Sequence, residues 1–405
     1  MRILVIGSKF PFPLKDGGAI ATYTLAKGLS EYDNDIFILS FNTRKHFIET
    51  KTIPEDKFVG INFKLVDIDT RLSYWKALIN FLFTLKPYIL QRFRSQKFNE
   101  ILKRLLTDKT FDIVQIEGLY MMQYINIIRQ NIRALIAYRP HNIEHRIWEL
   151  LAQNATNSLR KVYFRNLSRR IYRFEKSILN SYDIILPISP FDAAFFEGQG
   201  NKKTMAVVPV GFKSENYPAK EDISFDHKLF YIGSLEWLPN QEGITWFIDK
   251  CWPSLKDEFP GLELHIAGRN TPKWLVSNYS KPGIVWAGEV ESIKEFIRDK
   301  TIMIVPLFSG SGMRVKIVEA FFSYKAVVAT GIAVMGTGGA DNCELLIADD
   351  HLDFISKINS LIRNEKLYLR LVSDAYSFAC NNFDNSQIIT DLNDLYKKKL
   401  LIKSN

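Results

Sequence analysis

The chain of 405 residues is about two to three times as long as a typical domain, so two domains are expected. Its hydrophobic fraction of 47% allows large cores and argues against disorder. A formal net charge of +9 fits an acidic substrate, a phosphate-bearing ligand or an anionic membrane surface. Nucleic acid is not expected, because no helix-turn-helix, zinc-finger or RRM-type signature is found.

The three cysteines, Cys251, Cys343 and Cys380, are scattered and form no C-x-x-C pair. A disulfide framework or a cysteine zinc site is therefore not expected, and a reducing compartment is indicated. The apolar run in MRILVIGSKF is too short for a signal peptide, and no run approaches the roughly 18 apolar residues of a membrane span. We expect a cytoplasmic protein, at most peripheral to the inner face of a membrane.

The chain opens with a buried strand, Arg2 to Ile6, followed by a loop, Asp16-Gly17-Gly18, and a helix from Ala19 to Leu29. The loop lacks G-x-G-x-x-G, so no dinucleotide fingerprint is present. The two glycines could bring backbone amides near a phosphate. They could also only supply a turn that needs a positive φ.

Further strands alternate with helical stretches, which predicts a parallel sheet covered on both faces. Ligands of such sheets bind beyond the carboxyl ends of the strands. This rule predicts that Gly17-Gly18, Glu117-Gly118 and Pro140-His141-Asn142 form one rim. The predicted strands are Asp35 to Phe41, Ile61 to Val66, Asp112 to Ile116, Ala134 to Ala137 and Asp183 to Ile188.

The segment from Tyr74 to Leu106 interleaves aromatic and basic residues. It could be a membrane-facing or lipid-acceptor surface, or ordinary helices with one packed and one solvated face. A second basic stripe, with i, i+4 spacing, is expected to be a solvated helix face. It consists of Lys161, Arg165, Arg169 and Arg173.

The segment His141 to His145 matches H-x-x-E-H, a zinc-protease pattern in which two histidines bind the metal. Such a motif needs to lie well inside a helix. Pro140 and the strand before it place His141 on a strand-to-helix loop instead, and no metal is expected. For His145 we expect an exposed position on a helix.

Val207 to Phe212 ends the first domain, and the polar stretch Lys213 to Asp226 is the expected linker. A second alternating unit follows, in which Gly233, Gly268, Gly288 and Gly310 end strands and should share a rim. Two such domains facing each other would enclose a cleft, the usual place for a ligand. The predicted strands are Lys228 to Ile232, Leu262 to Ala267, Gly283 to Ala287, Ile302 to Leu307 and Ala326 to Thr330.

The stretch from Thr301 to Lys325 has the order strand, Ser309-Gly310-Ser311-Gly312 loop, helix. This order aims backbone N–H groups at an anion. Arg314 and Lys316 fall in the predicted first helical turn, where cations oppose the helix dipole unless a phosphate is bound. Alternatively, they simply reach solvent. Glu319, one turn later, could accept hydrogen bonds from a sugar hydroxyl.

Four segments resemble the retaining nucleotide-sugar glycosyltransferases of the GT-B fold, in the family-4-like group known as glycosyl transferases group 1. The resemblance extends over nearly the whole chain. It implies an α/β protein with two Rossmann-like domains: an acceptor-side domain (1–212), a donor domain (213–385) and a final helix (386–405) crossing back to the first. The segments are GSLEWLPNQEG at Gly233, IAGRN at Ile266, WAGEVES at Trp286 and VPLFSGSGMRVKIVEA at Val305.

The resemblance implies a hexosyltransferase-type enzyme that uses a UDP- or GDP-sugar, without a cofactor, in polysaccharide or glycoconjugate biosynthesis. The acceptor would be a glycan, lipid-linked or protein-linked group. Catalytic roles are implied for His141 at the sugar and acceptor and for Arg314 and Lys316 at the donor diphosphate. Donor contacts are implied for Gly18 and Gly312 near the phosphates, for Glu319 at the ribose, and for Gly268, Arg269 and Val290 around base and ribose.

Two departures from the family pattern stand out. Ser311 occupies a position that often holds Glu, and Ser234 and Asn240 stand where many members have Arg and Lys. Two alternatives therefore stay open. One is a nucleotide-sugar epimerase of the same fold, which would need acid–base groups at the sugar. The other is a non-catalytic nucleotide-sugar-binding or assembly protein.

Overall fold

The computed structural model describes residues 1–14, 16–155, 157–218, 225, 227–309 and 312–404. The chain divides into two compact units. Unit 1 combines Met1–Phe212 with Asn385–Asn405, and unit 2 is Lys213–Asp384. Among the described helices, none has the length and apolar composition needed to cross a membrane.

Unit 1 contains a seven-stranded parallel sheet with the order β3-β2-β1-β4-β5-β6-β7. Its strands are β1 (Arg2–Gly7), β2 (Asp35–Thr43), β3 (Ile61–Ile68), β4 (Ile113–Glu117), β5 (Leu135–Arg139), β6 (Ile184–Ile185) and β7 (Thr204–Met205).

Unit 2 contains a six-stranded parallel sheet with the order β10-β9-β8-β11-β12-β13. Its strands are β8 (Lys228–Ile232), β9 (Glu263–Ala267), β10 (Ile284–Gly288), β11 (Ile302–Val305), β12 (Ala326–Ala329) and β13 (Leu346–Ile347). The predicted α/β fold with two Rossmann-like sheets is confirmed.

Helices connect most of the strands in both units. In unit 1 they are α1 (Gly17–Ser30), α2 (Tyr74–Phe83), α3 (Tyr88–Arg92), α4 (Gln96–Asp108), α5 (Ile125–Asn131), α6 (Glu144–Asn154), α7 (Ser158–Ile178) and α8 (Pro190–Gly198). In unit 2 they are α9 (Leu238–Lys250), α10 (Trp252–Glu258), α11 (Lys273–Tyr279), α12 (Ile293–Ile297), α13 (Val315–Phe322), α14 (Gly331–Val334), α15 (His351–Arg363) and α16 (Glu365–Phe383). The last helix, α17 (Asn385–Ser404), belongs to unit 1.

Both faces of the unit 1 sheet are buried, because alternate residues of each strand feed two separate cores. Leu4 and Ile6 of β1 pack with residues of α4 and α7 on one face. Ile3 and Val5 pack on the other face with α1 and with Tyr396 of α17. The final helix is thus a structural layer of unit 1, although 172 residues of unit 2 separate it in sequence (213–384).

The predicted strands lie within a few residues of the observed ones, except that Asp183 to Ile188 contracts to Ile184–Ile185. Strands β7 and β13 were not predicted, because two paired residues carry no periodic signal. Of the predicted linker, residues 219–224 and 226 lie outside the described residues. Its beginning packs into unit 2, since the Tyr217 ring stacks on Phe322 with centroids 5.2 Å apart.

A close backbone contact holds α9 against the strand layer of unit 2. A Cβ atom on Gly243 of α9 would lie 1.7 Å from the carbonyl oxygen of Pro306, directly after β11. Only glycine permits this approach, because no side-chain rearrangement can move a backbone carbonyl out of the way.

We predict that Gly243→Ala lowers the free energy of unfolding of unit 2 by about 1–3 kcal/mol, the usual cost of overpacking. Gly261→Ala is the matched control, because a Cβ there meets no atom within 4 Å. Denaturant unfolding of the full chain measures both variants. Equal stability of the two would contradict the proposed contact.

Candidate functional site

The carboxyl ends of the unit 1 strands surround a cavity of about 260 Å³. The segments predicted to form one rim do so. Gly18 comes from α1, Glu117 and Gly118 lie at the end of β4, and His141 and Asn142 follow β5.

The buried carboxylate of Glu117 is the centre of this rim. Its Oε2 atom lies 2.5 Å from His141 Nε2 and accepts hydrogen bonds from Thr22 Oγ1 at 3.1 Å and Arg139 Nη1 at 3.4 Å. Its Oε1 atom accepts a bond of 2.5 Å from Gln115 Nε2. Burial alone would raise the pKa of Glu117, but the Arg139 charge and the His141 hydrogen bond lower that pKa to about 2. Glu117 is therefore ionised at neutral pH and fixes the His141 ring.

A second layer of contacts supports this arrangement. Arg139 is fully buried and also donates to the carbonyl oxygens of Ala21 and Val208, at 3.1 and 3.3 Å. Tyr396 of α17 donates its hydroxyl to Gln115 Oε1 at 2.8 Å. The orientation of His141 thus depends on residues from five separated parts of the chain.

Gly18 lies in the first turn of α1, whose N-cap is Asp16. Neither Gly17 nor Gly18 has a positive φ, so the interpretation that these glycines only serve a positive-φ turn is wrong. A Cβ on Gly18 would lie 3.5 Å from His141 Nδ1. The absent side chain keeps the space beside this ring nitrogen and the helix N-terminus open to a ligand.

The two histidines of the H-x-x-E-H segment contact different carboxylates and do not form a shared metal site. His141 lies on the loop between β5 and α6, as predicted, and contacts Glu117. His145 Nδ1 lies 2.5 Å from Glu175 Oε2, and its side chain is only 12% exposed. The expectation of an exposed His145 is wrong, because Glu175 of α7 reaches the start of α6. Across the described residues, no group of three or more His, Cys, Asp or Glu is placed to hold a metal.

Glu144, also in the cavity wall, was not singled out as a separate site residue. Its Oε2 accepts a hydrogen bond of 2.7 Å from Tyr120. Burial raises the pKa of Glu144 to about 7, against the lowering effect of the Tyr120 hydrogen bond. A carboxyl group that titrates near neutrality therefore lies in the same cavity as His141. The only sequence signal for it was its place in the H-x-x-E-H pattern.

A second cavity of about 480 Å³, which we call the basic basin, shares Ser8 and Lys9 with the first. Among its basic residues, Lys9 pairs with Asp16, and Arg71 pairs with Asp69. The sequence prediction missed this basin, although Arg44 to His46 follow directly after β2 and the strand-end rule applies to them. Its basic lining residues are Lys9, Arg44, Lys45, His46, Arg71 and Arg92.

In unit 2, three of the four predicted rim glycines adjoin one another. The N–H of Gly268 donates to the Gly288 carbonyl at 2.8 Å, and a Cβ on Gly268 would lie 2.1 Å from the Gly233 carbonyl oxygen. Position 268 therefore requires glycine. The fourth glycine, Gly310, and the departure at Ser311 lie outside the described residues.

The two cations expected at the donor diphosphate lie at the start of α13. Arg314 was predicted to lie in the first turn of this helix. It is instead the N-cap residue, because α13 begins at Val315. Its guanidinium carbon lies 5.9 Å from the centre of the Trp237 ring. Lys316 lies in the first turn and donates its ammonium to the Ile232 carbonyl at 3.1 Å.

Lys316 folds back towards the carboxyl end of β8 and does not extend into solvent. Its Nζ atom lies 4.5 Å from the centre of the Tyr231 ring and 3.5 Å from the Cβ position of Gly233. Burial, and then the charge of Arg314, lower the pKa of Lys316 to about 7. A bound anion would offset both effects and stabilise the ammonium.

The remaining predicted donor residues also lie at this edge or one turn beyond it. Arg269 is the second residue after β9, Val290 is the second residue after β10, and Gly312 has a φ of +80°. Glu319 lies one turn into α13, where burial raises its pKa to about 7 although Lys294 acts to lower it. Gly268, Arg269, Val290 and Gly312 therefore lie on loops that follow strands of unit 2, and Glu319 lies in the helix after the last of these loops.

The departures at Ser234 and Asn240 have a structural explanation. Asn240 is buried and donates its amide to the Ser234 carbonyl at 2.8 Å, which closes the turn between β8 and α9. A neutral pair therefore stabilises the turn where many family members have cations. Lys316 and Arg314 bring positive charge to the same edge from α13.

Comparisons with known proteins agree with this architecture. Residues 226–364 match the family described as Glycosyl transferases group 1. An uncharacterized 44.6 kDa protein in the cps region of Klebsiella pneumoniae is 22% identical over 403 residues, which is 96% of this chain and 98% of that protein.

Two solved structures show the same fold over nearly their whole length. Sucrose-phosphate synthase from Thermosynechococcus elongatus has a TM-score of 0.75 at 14% identity, with 100% of both chains covered. Anabaena HepE, solved in complex with UDP-glucose, has a TM-score of 0.68 at 14% identity, with 98% of this chain and 100% of HepE covered. The fold is therefore that of GT-B glycosyltransferases, and the family match within unit 2 supports a glycosyltransferase of group 1.

We predict that the stability difference between the wild type and Glu117→Gln depends on pH. The folded pKa of Glu117, about 2, lies below its ordinary value of 4.5. The ionised carboxylate therefore stabilises the fold above pH 4.5, and this stabilisation is lost as pH falls towards 2. Gln keeps the shape but leaves the Arg139 charge uncompensated.

Urea unfolding between pH 7 and pH 2 measures this effect. We expect the wild type to be clearly more stable at pH 7 and the difference to shrink as the pH falls through the window from 4.5 to 2. Asp108→Asn, at an exposed carboxylate of unit 1, is the control. A difference that stays constant over this range would show that the Glu117 charge does not stabilise the fold.

Proposed function

We propose that the protein is a retaining glycosyltransferase that moves a sugar from a nucleotide-diphosphate sugar to a glycan, lipid-linked or protein-linked acceptor. The single observation that carries this proposal is the arrangement at the carboxyl edge of unit 2. There, the partly buried Lys316 lies beside Gly233, which packs closely on Gly268, and Arg314 lies near the Trp237 ring. Retention of the anomeric configuration rests on the family resemblance.

The chemistry of sugar transfer explains why cations belong at this edge. Cleavage of the sugar–phosphate bond leaves growing negative charge on the diphosphate and positive charge on the sugar. Fixed cations aimed at the leaving group stabilise this charge separation without reorganising during the reaction. In the proposal, Arg314 and Lys316 bind the diphosphate, with Gly312 near the phosphates.

The nucleoside part of the donor is assigned to the neighbouring loops. Gly268, Arg269 and Val290 would border the base and ribose, and Glu319 would accept hydrogen bonds from the ribose hydroxyls. HepE was solved with UDP-glucose, and a TarM mutant of S. aureus with UDP, so a uridine nucleotide is the first choice over a guanosine nucleotide.

On the acceptor side, His141 would contact the sugar and acceptor, with its ring held by Glu117. The adjoining basic basin favours an acceptor that carries negative charge. Two similar proteins favour glycan chemistry: the Klebsiella pneumoniae relative is in a cps region, and the structure of the TarM mutant contains alpha-GlcNAc-glycerol. These observations support a role in polysaccharide or glycoconjugate biosynthesis.

A second candidate function, nucleotide-sugar epimerisation, is favoured by one observation. Glu144, whose pKa is raised to about 7, lies in the same cavity wall as His141 and could supply an acid–base group. An epimerase would convert the donor without an acceptor. A transferase would require one for turnover beyond slow hydrolysis.

We predict that Arg314→Ala lowers turnover by about a hundredfold or more, as for the loss of one strong charge stabiliser. The assay follows binding and hydrolysis of UDP-, GDP-, ADP- and dTDP-sugars, first without an acceptor and then with glycan acceptors. Arg298→Ala is the matched control, because Arg298 is an exposed arginine of unit 2 that pairs with nearby Glu295.

Selective binding of one donor by the wild type, with turnover lost in Arg314→Ala and kept in Arg298→Ala, would support the proposal. Near-normal turnover of Arg314→Ala would refute the role of this residue. Binding without any turnover in the presence of acceptors would favour the assembly-protein alternative.

We also predict that the affinity for UDP falls as pH rises from 7 to 9. In the protein without a ligand, the pKa of Lys316 is about 7, and a bound diphosphate would raise this pKa. Binding above pH 7 therefore requires uptake of a proton. In Lys316→Arg the cation stays charged throughout this range, which should flatten the profile.

Titration calorimetry in buffers of different ionisation enthalpy measures both the affinity and the proton uptake. Titration of UDP itself, and of Glu319, affects both variants alike. The same pH profile for the wild type and Lys316→Arg would contradict the assigned role of Lys316.

A further inference from the structure

Helix α2 exposes most of its large apolar side chains to solvent and buries Ala77 and Asn80 instead. The side chains that face the body of unit 1 are those of Ala77, the polar Asn80 and the partly buried Phe81. At 100° per residue the outward side chains cover one continuous half of the helix, the opposite of the usual pattern of a surface helix. Trp75 is 76% exposed and Phe83 is 78% exposed. The outward set is Tyr74, Trp75, Leu78, Ile79, Leu82 and Phe83.

Polar contacts from α7 fix this orientation. The buried guanidinium of Arg170 donates to the carbonyl oxygens of Asn80 at 3.0 Å and Phe81 at 2.7 Å, near the C-terminal end of α2. The amide of Asn80 donates to Thr84 Oγ1 at 2.7 Å and to the Lys86 carbonyl at 2.9 Å. Turning the apolar face inward would break these bonds and leave a buried cation unpaired, which is costly.

The surroundings of the apolar face are positively charged. Residues 70–99, which contain α2, include six Lys or Arg and no Asp or Glu, and the same holds for residues 150–174, which contain most of α7. The two segments touch where the rings of Phe81 and Tyr163 lie 6.0 Å apart. Within about one turn of Tyr163, Leu159 and Val162 are exposed as well.

We propose that α2, together with the N-terminal part of α7, docks on the surface of an anionic lipid bilayer. The outward aromatic and aliphatic side chains insert at the level of the headgroups, and the surrounding Lys and Arg side chains contact lipid phosphates. An anionic bilayer is the partner that complements the positive charge around this apolar face. A second copy of the chain would bring the same excess of positive charge to the contact, and like charges oppose association. The proposal does not depend on the sugar-transfer activity.

The test measures co-sedimentation of the full chain with vesicles of phosphatidylcholine alone or with 30% phosphatidylglycerol (about a third anionic lipid, enough for a negative surface potential). The variant is Trp75→Ser combined with Phe83→Ser. Because both side chains are largely exposed, the melting temperature should not change, and this is checked first. Trp274→Ser is the matched control, since Trp274 is a half-exposed tryptophan of unit 2.

We expect the wild type and Trp274→Ser to bind the anionic vesicles, more weakly at higher salt, and to bind neutral vesicles at least tenfold less. The double variant should lose at least tenfold in its partition coefficient on anionic vesicles. Absence of wild-type binding to anionic vesicles, or equal binding of the double variant, would overturn the proposal. A further contradicting result would come from light scattering. If the wild type were a dimer and the double variant a monomer, the apolar face would bind a second copy of the chain and not a bilayer.

Discussion

The buried ion pair between Glu117 and Arg139 is the constraint on which the rest of unit 1 depends. The two residues are direct partners at the ends of adjacent parallel strands, in a sheet whose faces are both apolar. At the carboxyl edge, side chains from several elements satisfy these buried polar groups. Arg139 then binds carbonyl oxygens of α1 and of the segment before Phe212, and Glu117 orients His141. Stability and the position of the candidate catalytic residue thus come from the same contacts.

The carboxyl edges of the two sheets differ in how their buried charges are compensated. In unit 1 a strongly acidic carboxylate compensates a buried arginine and holds a histidine. In unit 2 a partly buried lysine lies near an arginine, and its pKa is lowered to about 7. In the first arrangement the charges of Glu117 and Arg139 compensate each other within the protein. The second gains most from a bound anion, as expected for a ligand-binding edge.

The fold and the rim of unit 1 could be predicted from sequence, because apolar runs mark buried strands and the strand-end rule locates the rim. Contacts between residues that are far apart in sequence could not be predicted. Nothing in the sequence pairs His145 with Glu175 of another helix, or shows that Gly268 must accommodate the Gly233 carbonyl. The basic character of residues 70–99 was visible, but the outward orientation of their apolar side chains depends on Arg170, which is far away in sequence.

Helix α17 makes unit 1 discontinuous, and this affects how the protein is made. Ile389, Leu392 and Tyr396 complete a core that begins with β1, and the Tyr396 hydroxyl reaches the Glu117 network through Gln115. During synthesis the ribosome must therefore release nearly the whole chain before the first-made unit can close its core. Unit 2 is continuous and can fold while the N-terminal unit still exposes an apolar groove, which makes this interval a natural point for chaperone binding. The C-terminal helix is thus the last step in assembling a histidine site encoded more than 200 residues earlier (141 against 385).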